Sequence, residues 1–593
     1  MALNLLSFSL SLSPPFSPTR LPLRSGPQSA QTNVHVARYI RCAATTDMVQ
    51  PTIIRRNANY QPPVLDYDFV QSLKTDYTDD AYVRGIERLA EESKCLLRAT
   101  TEPFTLLELI GVIQRLGLAY LFELEIKEAL DAISNCENDK EMKKDLNVTA
   151  LRFRLLRQHG YKVSQDVFNS FMDETGSFKA YLSQDIKGML SLYEASHLGF
   201  IGETVLDVAK AFTTKHLKGI KGNIDPSLAK QVTHALELPM HYMEPRLEAR
   251  WYIEEVYEKE KHMKPFLLEL AKLDYNRVQA FHKNNVRDMA RWWKDLGTME
   301  ILPFIRDRVV ECFLFGLGVA FEPQYQYSRD VVTQASQIIT MIDDVYDVYG
   351  SLDELELFTD AVQRWTTDAI EKLPEYMKIC YMVLFNNVNA LAYDTLKEQG
   401  VDVLPCLKKM WGDLCKTYMT EARWYYSGHT PPFKEYLDNG WISIGAPIIL
   451  VHGYFSMRLK ITKEVLEGLE NYHNLVIFPS IILRLCDDVG TSTYELARGD
   501  VRKAVECHMH ETGASEVAAR EHVRGVIDET WKKLSEECLS CSPFPPAFIN
   551  GCVGLGRISE CVYQFGDGFG RPHEETKARV TALLVEPIPL KKI

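Results

Sequence analysis

The stretch ITMIDDVYDVYG (residues 339–350) sets three aspartates within an otherwise apolar and aromatic run. Residues four apart lie on the same face of an α-helix, so a helix here would project Asp343 and Asp347 together, with Asp344 beside them. Because the flanking residues are apolar, we expect this face to point inward. Clustered carboxylates repel one another unless a cation lies between them. The pattern predicts a cation site, and its simpler alternative is a solvated acidic helix face.

A second acidic cluster, RLCDDVGTSTYE (484–495), favours the cation site. Asp487, Thr491 and Glu495 follow at intervals of four residues, so a helix would align their oxygens over two turns, and Arg484 joins the same face. Mg²⁺ binds one or two carboxylates together with water and substrate phosphates. Two oxygen-rich helix faces therefore predict several Mg²⁺ ions bridged by a highly charged anion, for which diphosphate is the obvious choice.

The rest of the chain has the apolar periodicity of helices. It is visible at 106–122, at 149–161, where His159-Gly160 would end a helix, and at 183–200, where Ser183 is a plausible N-cap. The most apolar stretch, 441–455, contains Gly and Pro and predicts a buried, interrupted helix. Alternating strand patterns are nearly absent, so we predict an all-α fold.

The chain is too long for one hydrophobic core, because it has 593 residues. A charged run near 256–270 interrupts the apolar pattern. We predict an N-terminal helical domain at 51–266, which begins with an extended arm at 53–69, and a C-terminal domain at 267–593.

Residues 1–50 differ from the remainder in charge. They contain four arginines, one aspartate and many serines, whereas the whole chain has a net charge of -13. This composition is typical of an organelle transit peptide and favours a plastid leader; a secretory signal is the competing interpretation. The overall negative charge argues against nucleic acid as a partner. No run of ~18 apolar residues predicts a membrane span.

The cysteines do not predict a disulfide framework. There are thirteen, an odd number scattered along the chain, which fits a reducing compartment. Cys538-x-x-Cys541 and the segment CHMH (507–510) are possible metal clusters, but neither has the four well-spaced ligands of a zinc site.

Several motifs together resemble those of plant terpene synthases. The resemblance extends over the whole chain and includes the monoterpene-forming subfamily, whose N-terminal arm carries RRx8W. The matching segments are DDVYD (343–347) for DDxxD, DDVGTSTYE (487–495) for the second metal motif, RDR (306–308) for RxR, RRNANYQPPVL (55–65) for the arm, RWWK (291–294) and RGDVRK (498–503).

The resemblance implies two all-helical domains, of which the C-terminal one is the class I catalytic bundle. The N-terminal domain would be catalytically silent, and its arm would fold over the site. The cofactors would be Mg²⁺ or Mn²⁺, with three ions per site. The implied metal ligands are Asp343, Asp344, Asp347, Asp487, Thr491 and Glu495.

The same resemblance implies roles in binding and reaction. Diphosphate would contact Arg306, Arg484 and Lys503 directly, and Asp343, Asp347 and Asp487 through the metals. The implied catalytic residues are Arg306, Arg308, Phe315, Arg55 and Arg56. Tyr346, Phe569 and Trp292 are further candidates to face a carbocation, and Asp567 is a candidate to order the C-terminal loop.

Three positions depart from the family pattern. Leu65 stands where the arm motif has Trp, Arg502 replaces the usual Pro before Lys503, and Phe315 occupies a position where many relatives have Trp. None of the three is an implied metal ligand, so we expect activity.

The implied function is conversion of geranyl diphosphate to a cyclic or acyclic monoterpene in the chloroplast stroma, by a monomer or weak homodimer. Ser336 and Leu483 lie where the isoprene-forming branch usually has Phe, which makes isoprene the less favoured product. The open alternatives are a sesquiterpene synthase acting on farnesyl diphosphate, an isoprene synthase, a chain-elongating prenyltransferase and an impaired diphosphate-binding homologue.

Overall fold

The computed structural model describes residues 55, 60–135, 144–220, 224–498 and 501–590, with side chains at 493–498 left out. This part of the chain is helical and contains no strand; one isolated bridge joins Met172 and Phe178. The all-α prediction is confirmed.

The first nine α-helices precede the long central helix. They are α1 (Tyr67–Ser72), α2 (Asp80–Ala99), α3 (Pro103–Arg115), α4 (Glu123–Asn135), α5 (Leu146–Gln158), α6 (Ile186–Ser196), α7 (Thr204–Lys218), α8 (Pro226–Glu237) and α9 (Pro245–Glu255).

The later helices build the half of the chain that carries the acidic motifs. They are α10 (Pro265–Asp295), α11 (Thr298–Ile301), α12 (Val309–Val319), α13 (Gln326–Asp344), α14 (Leu352–Arg364), α15 (Glu375–Gln399), α16 (Leu404–Ser427), α17 (Phe433–Ser443), α18 (Ala446–Ser456), α19 (Lys463–Glu470), α20 (Asn474–Arg498), α21 (Ala504–Thr512), α22 (Glu516–Glu537), α23 (Pro546–Tyr563) and α24 (Glu574–Leu584).

Two large hydrophobic clusters divide these helices. One contains buried residues of α2–α5 and α9, and the other contains most of the buried residues after α10. Helix α10 contributes Leu267, Leu270 and Tyr275 to the first cluster, and Val286 and Trp293 to the second. The 31-residue helix therefore connects both cores. The domain boundary at 266/267 stays a prediction. The structure shows a non-α-helical connection nearby, between the end of α9 at Glu255 and the start of α10 at Pro265.

The apolar stretch at 441–455 is an interrupted helix, as predicted. Helix α17 ends at Ser443, Gly445 adopts a left-handed φ of 78°, and α18 begins at Ala446 with Pro447 in its first turn. Glycine suits this φ because it has no Cβ to clash with the backbone. Every residue of α18 is buried.

Two local predictions were wrong. Helix α6 begins at Ile186 and is capped by Asp185, whose carboxylate accepts from the Gly188 N–H at 2.9 Å; Ser183 lies in a preceding 3₁₀ turn instead. The predicted extended arm is also shorter than 53–69, because α1 begins at Tyr67 after the N-cap Asp66. In both places an aspartate satisfies the N–H groups of the first helical turn.

Among the described residues, no helix has both the length and the apolar character that crossing a membrane requires. Helix α18 packs against both α13 and α20, and α17 packs against both α16 and α20. These packings bring the two acidic motifs into the same half of the molecule.

Candidate active site

The first acidic motif lies where the backbone of α13 changes form. The α-helix ends at Asp344, and Val345–Tyr349 forms a π-helical turn closed by the Gly350 N–H on the Val345 carbonyl at 2.8 Å. The sequence predicted an α-helix through all three aspartates. The structure differs at Asp347, which lies in the wider π-helical turn. Asp343 and Asp347 are half-buried, whereas Asp344 is fully buried. Such π-turns are frequent at functional sites.

Arg306 neutralises the first pair of aspartates. Its guanidinium pairs with Asp343, and its Nε lies 2.8 Å from Oδ1 of Asp344. Its backbone N–H donates to the other oxygen of Asp344 at 2.7 Å. Burial raises the pKa of Asp344 to about 6, although Arg306 acts to lower it. The three residues form a compact charged unit, of which only Asp343 is substantially accessible.

Tyr418 of α16 faces the same motif. Burial raises the pKa of its hydroxyl well above the usual value, and the negative charges of Asp343, Asp347 and Glu421 raise it further. The Tyr418 ring also lies 5.3 Å from that of Tyr346, which stands between Asp344 and Asp347 in the motif. Glu421 lies three residues further along α16 and is buried.

The second acidic motif, on α20, has a similar arginine. Arg484 pairs with Asp487, and its Nη2 lies 2.6 Å from Oδ1 of the fully buried Asp488. Asp488 also accepts from the Tyr436 hydroxyl at 3.0 Å and the Ala504 N–H at 3.2 Å. Each acidic motif thus has one fully buried aspartate bound to an arginine and another aspartate that is less enclosed.

Thr491 is one helical turn beyond Asp487. Its hydroxyl oxygen is buried and has no hydrogen-bond partner among the described residues. A buried hydroxyl without a partner is costly unless something else binds it. Glu495 lies on α20 as predicted, but its side chain is outside the described part.

Lys503 connects the second motif to α16. It is the N-cap residue of α21, it is buried, and its Nζ lies 4.0 Å from Oε2 of Glu421. Tyr418, one turn earlier on α16, has its ring 5.3 Å from that of Tyr346 in the first motif, so α16 contacts residues beside both acidic motifs. The neighbouring Arg502 is exposed to solvent.

The arm reaches this region through Arg55. Its Nη1 and Nη2 lie 2.5 and 2.8 Å from the two carboxylate oxygens of Glu354, and Nη1 donates to the Tyr349 carbonyl at 2.8 Å. The guanidinium also covers the rings of Tyr349 and Tyr376 at 4.5 and 5.2 Å. Arg55 is therefore bound to protein groups beside the π-turn. Arg56 lies outside the described residues.

Arg308 joins the arm to the C-terminal loop. Its buried guanidinium donates to the Gln61 carbonyl of the arm at 2.8 Å and to the Gly570 carbonyl of the C-terminal loop at 3.2 Å. Asp567 shapes that loop by accepting from the Gly570 N–H at 2.6 Å. A direct catalytic contact of Arg308 stays a prediction, because these bonds are to main-chain groups.

The candidate aromatic residues do not all lie together. Phe315 is buried with its ring 5.9 Å from that of Phe569, and Tyr346 lies 5.3 Å from Tyr418. Trp292 lies elsewhere, in a groove of about 560 Å³ lined also by Leu296, Ile379 and Met382. The suggestion that Trp292 faces the reaction is therefore wrong: its helix turns it toward α15.

Several residues of the site escaped the motif analysis. They are Tyr60, Glu354, Tyr418 and Glu421. The sequence offered only a weak indication of these residues. Glu421 is acidic and follows the aromatic Tyr418 by three positions, so a helix would place both on one face. Leu65, the departure from the arm motif, is half-buried against the main core, and the adjacent Val64 N–H donates to Glu311 at 2.8 Å.

The oxygen donors fit divalent cations that bind together with a phosphate ligand. Among the described side chains, no three His, Cys, Asp or Glu residues form a cluster able to hold a metal ion alone. Mg²⁺ usually takes one or two carboxylates and completes its shell with water and phosphate oxygens. Asp343 and Asp347 on one side, with Asp487 and the hydroxyl of Thr491 on the other, suit such partial ligand sets.

Comparison with known families assigns both halves of the chain. Residues 294–533 match the model "Terpene synthase family, metal binding domain", and residues 64–236 match "Terpene synthase, N-terminal domain". The chain is 52% identical over 592 residues to (-)-alpha-terpineol synthase of Vitis vinifera, with 99% of each chain covered. It is 50% identical over 568 residues to the chloroplastic myrcene synthase of Quercus ilex, with 95% of each covered.

Solved structures agree with this assignment. A limonene synthase crystallised with 2-fluorolinalyl diphosphate matches with a TM-score of 0.87 and 43% identity, over 90% of this chain and 100% of that one. Isoprene synthase from grey poplar leaves (Populus x canescens), in complex with three Mg²⁺ ions and dimethylallyl-S-thiolodiphosphate, matches with a TM-score of 0.82 and 45% identity, over 88% and 99%. The resemblance predicted from the motifs is confirmed, and the chain belongs to the terpene synthase family.

Proposed function

We propose that the protein is a monoterpene synthase that ionises geranyl diphosphate and directs the resulting carbocation to a ten-carbon product. The observation that carries this proposal is the pair of arginine–aspartate clusters, Arg306 with Asp343 and Arg484 with Asp487, in two motifs that both have neighbours contacting α16. The similarity to alpha-terpineol, myrcene and limonene synthases supports the substrate.

The metal ligands would come from both clusters. Mg²⁺, or Mn²⁺ in its place, supplies Lewis-acid stabilisation of the diphosphate leaving group when bound. The residues that would hold it are Asp343, Asp347, Asp487, Thr491 and Glu495. Asp344, which is fully buried, would act from behind by fixing Arg306. Three ions are proposed because the related isoprene synthase binds three Mg²⁺.

Three cations of the chain would bind the departing diphosphate. Arg306, Arg484 and Lys503 each lie beside a carboxylate of the site; Arg484 and Lys503 are buried, and the side chain of Arg306 is 12% exposed. Negative charge increases on the diphosphate oxygens as the allylic C–O bond breaks. Donors that are already oriented in a water-poor site stabilise that charge without reorganising, which lowers the barrier.

The carbocation would be held between aromatic faces and shielded from water. Phe315 and Phe569 form one such surface, and Tyr346 contributes another. Aromatic rings attract cations through their negative faces, and exclusion of water prevents premature capture. The arm and the C-terminal loop, joined through Arg308, would cover the site. The proposed location is the chloroplast stroma, supported by the plastid-type leader and the chloroplastic relative.

The deciding experiment is a product assay with the chain from Arg55 onward. Geranyl, farnesyl and dimethylallyl diphosphates are supplied separately with Mg²⁺, and volatiles are identified by gas chromatography with mass detection. We expect ten-carbon products from geranyl diphosphate, complete loss with EDTA and recovery on adding Mg²⁺ or Mn²⁺.

Other outcomes would replace the proposal. Products from farnesyl diphosphate alone would identify a sesquiterpene synthase, and isoprene from dimethylallyl diphosphate alone an isoprene synthase. A requirement for isopentenyl diphosphate would indicate chain elongation. Absence of product from every substrate would indicate an impaired homologue, and turnover in metal-free buffer would contradict the ionisation mechanism.

A further inference from the structure

The arm contributes a residue to the first acidic cluster. The ring of Tyr60 lies against the guanidinium of Arg306, with 4.5 Å between the guanidinium carbon and the ring centroid. The Tyr60 hydroxyl donates a hydrogen bond to the carboxylate of Asp344. One arm residue therefore contacts both members of the buried ion pair, although the arm motif RRx8W specifies no residue type at its position.

The position of Tyr60 depends on the docking of the arm. Arg55, five residues earlier, is bound by Glu354. The carbonyl of Gln61 accepts from Arg308 at 2.8 Å, and the N–H of Val64 donates to Glu311 at 2.8 Å. Contacts on both sides of Tyr60 thus fix the backbone that carries it, and several of them are to main-chain atoms, so they do not depend on the arm's side chains.

Arg306 has two acidic neighbours, and Tyr60 contacts the more deeply buried of them. The backbone N–H of Arg306 donates to Asp344, its Nε lies 2.8 Å from the same carboxylate, and its Nη2 pairs with Oδ2 of Asp343. The Tyr60 ring stabilises the guanidinium by a cation–π interaction, and its hydroxyl adds a hydrogen bond to a charged acceptor. The ring therefore holds the guanidinium of Arg306 and the hydroxyl holds the carboxylate of Asp344, so Tyr60 fixes both members of the pair.

We propose that Tyr60 is a positioning residue: the docked arm, acting through Tyr60, fixes Arg306 against Asp344 and against one oxygen of Asp343, so that the rest of the half-buried Asp343 carboxylate is available to metal and diphosphate. Without Tyr60, Arg306 would shift further over Asp343 and compete with the metal for the whole of that carboxylate. This inference rests on the proposed function, because it assumes that Asp343 and Arg306 receive the metal and the diphosphate.

The test measures binding as well as turnover in the full chain. Inorganic diphosphate is titrated calorimetrically into protein with excess Mg²⁺, for wild type, Tyr60→Phe and Tyr60→Leu. Tyr67→Phe is the matched control, since Tyr67 also meets a cation, Lys294 at 3.8 Å, but on α1. We expect Tyr60→Phe to bind about threefold to tenfold more weakly and Tyr60→Leu more weakly still, with Tyr67→Phe unchanged.

Turnover supplies the second measurement. In Tyr60→Phe the Mg²⁺ concentration for half-maximal rate should rise by a similar factor, whereas kcat at saturating Mg²⁺ should change little. Wild-type binding in both Tyr60 variants would overturn the inference. Asp343→Asn separates the two proposals: if it loses binding while the Tyr60 variants keep it, only the inference fails. If Asp343→Asn also binds as wild type does, the proposed metal site fails and the inference fails with it.

Discussion

Neighbouring aspartates of one motif have different surroundings. The Asp343 side chain is 28% exposed, whereas that of Asp344 has no exposed surface. The Asp344 carboxylate contacts both the backbone N–H and the guanidinium of Arg306. The DDxxD motif does not distinguish Asp343 from Asp344. In the structure their roles differ, because Asp343 is accessible to the proposed ligands and Asp344 holds Arg306 in place.

Alanine substitutions should separate these roles. Asp343→Ala should reduce turnover at least about a hundredfold with little change in unfolding temperature, because a half-exposed carboxylate is lost. Asp344→Ala should destabilise the fold by about 3–5 kcal/mol, because it leaves the buried guanidinium of Arg306 without its main partner. Calorimetric unfolding and steady-state rates measure both. Equal stability of the two variants would contradict the difference in burial.

The ion pair between Arg55 and Glu354 predicts a pH effect. Hydrogen bonds from Arg55 and other donors outweigh burial and hold the pKa of Glu354 at about 2. This lies below the value of ~4.3 expected in the unfolded chain, so the stabilisation is complete above about pH 5 and is lost as pH falls toward 2.

Denaturation between pH 5 and 3 tests this effect. The free energy of unfolding should fall less steeply over that range in Glu354→Gln than in wild type. Glu356→Gln is the control, because Glu356 makes an exposed pair with Arg423. It should retain the wild-type slope. Parallel slopes in all three proteins would argue against the role of Glu354.

At the scale of helices, glycine sets the closest approach between α12 and α23. A Cβ added to Gly554 of α23 would lie 1.9 Å from the carbonyl oxygen of Gly318 on α12. A contact this short requires the two helix backbones to separate. The crossing therefore depends on these glycines, and α12 carries Phe315 into the site.

Two glycine substitutions should have opposite effects. Gly554→Ala should destabilise the protein by about 1–3 kcal/mol, because it overpacks a helix crossing. Gly525→Ala, within α22 where no atom of the described residues lies within 4 Å of the added Cβ, should stabilise it by about 0.5–1 kcal/mol. Thermal unfolding of both variants provides the measurement. A stable Gly554→Ala protein would show that α12 and α23 can shift apart at low cost.

At the scale of the whole molecule, α10 runs through both hydrophobic clusters, so we expect them to unfold as one cooperative unit. Its first half is packed in one cluster and its second half in the other, with no break between Pro265 and Asp295. Unfolding of the N-terminal cluster would remove the partners of the first half. The second cluster holds the candidate site. A substitution that destabilises the N-terminal cluster should therefore also reduce activity at that site.

Leu270→Ala tests this coupling. Leu270 is fully buried in the N-terminal cluster, so its truncation should cost about 2–5 kcal/mol. Loss of helicity and loss of turnover should then occur at one lowered temperature. Leu296→Ala, at the exposed end of α10, should change stability by less than about 0.5 kcal/mol. Turnover that survives the loss of N-terminal helicity would show that the clusters unfold independently.

The sequence by itself determined the helical class, the family and the identity of the candidate ligands. Apolar periodicity reports local helix formation, and the spacing of Asp343, Asp347, Asp487 and Thr491 follows from one helical repeat. Helix ends were less predictable: Ser183 and Asp185 are both good caps, and the choice between them depends on the preceding turn.

Only the tertiary structure decided which residues meet. It placed Trp292 in an outer groove, enclosed Asp344 with Arg306, and brought Tyr60 and Glu421 to the acidic clusters. These contacts join residues far apart in the chain, and they depend on how helices pack rather than on local spacing. A motif therefore names the chemical groups of this site, whereas packing determines the charge, exposure and partner of each.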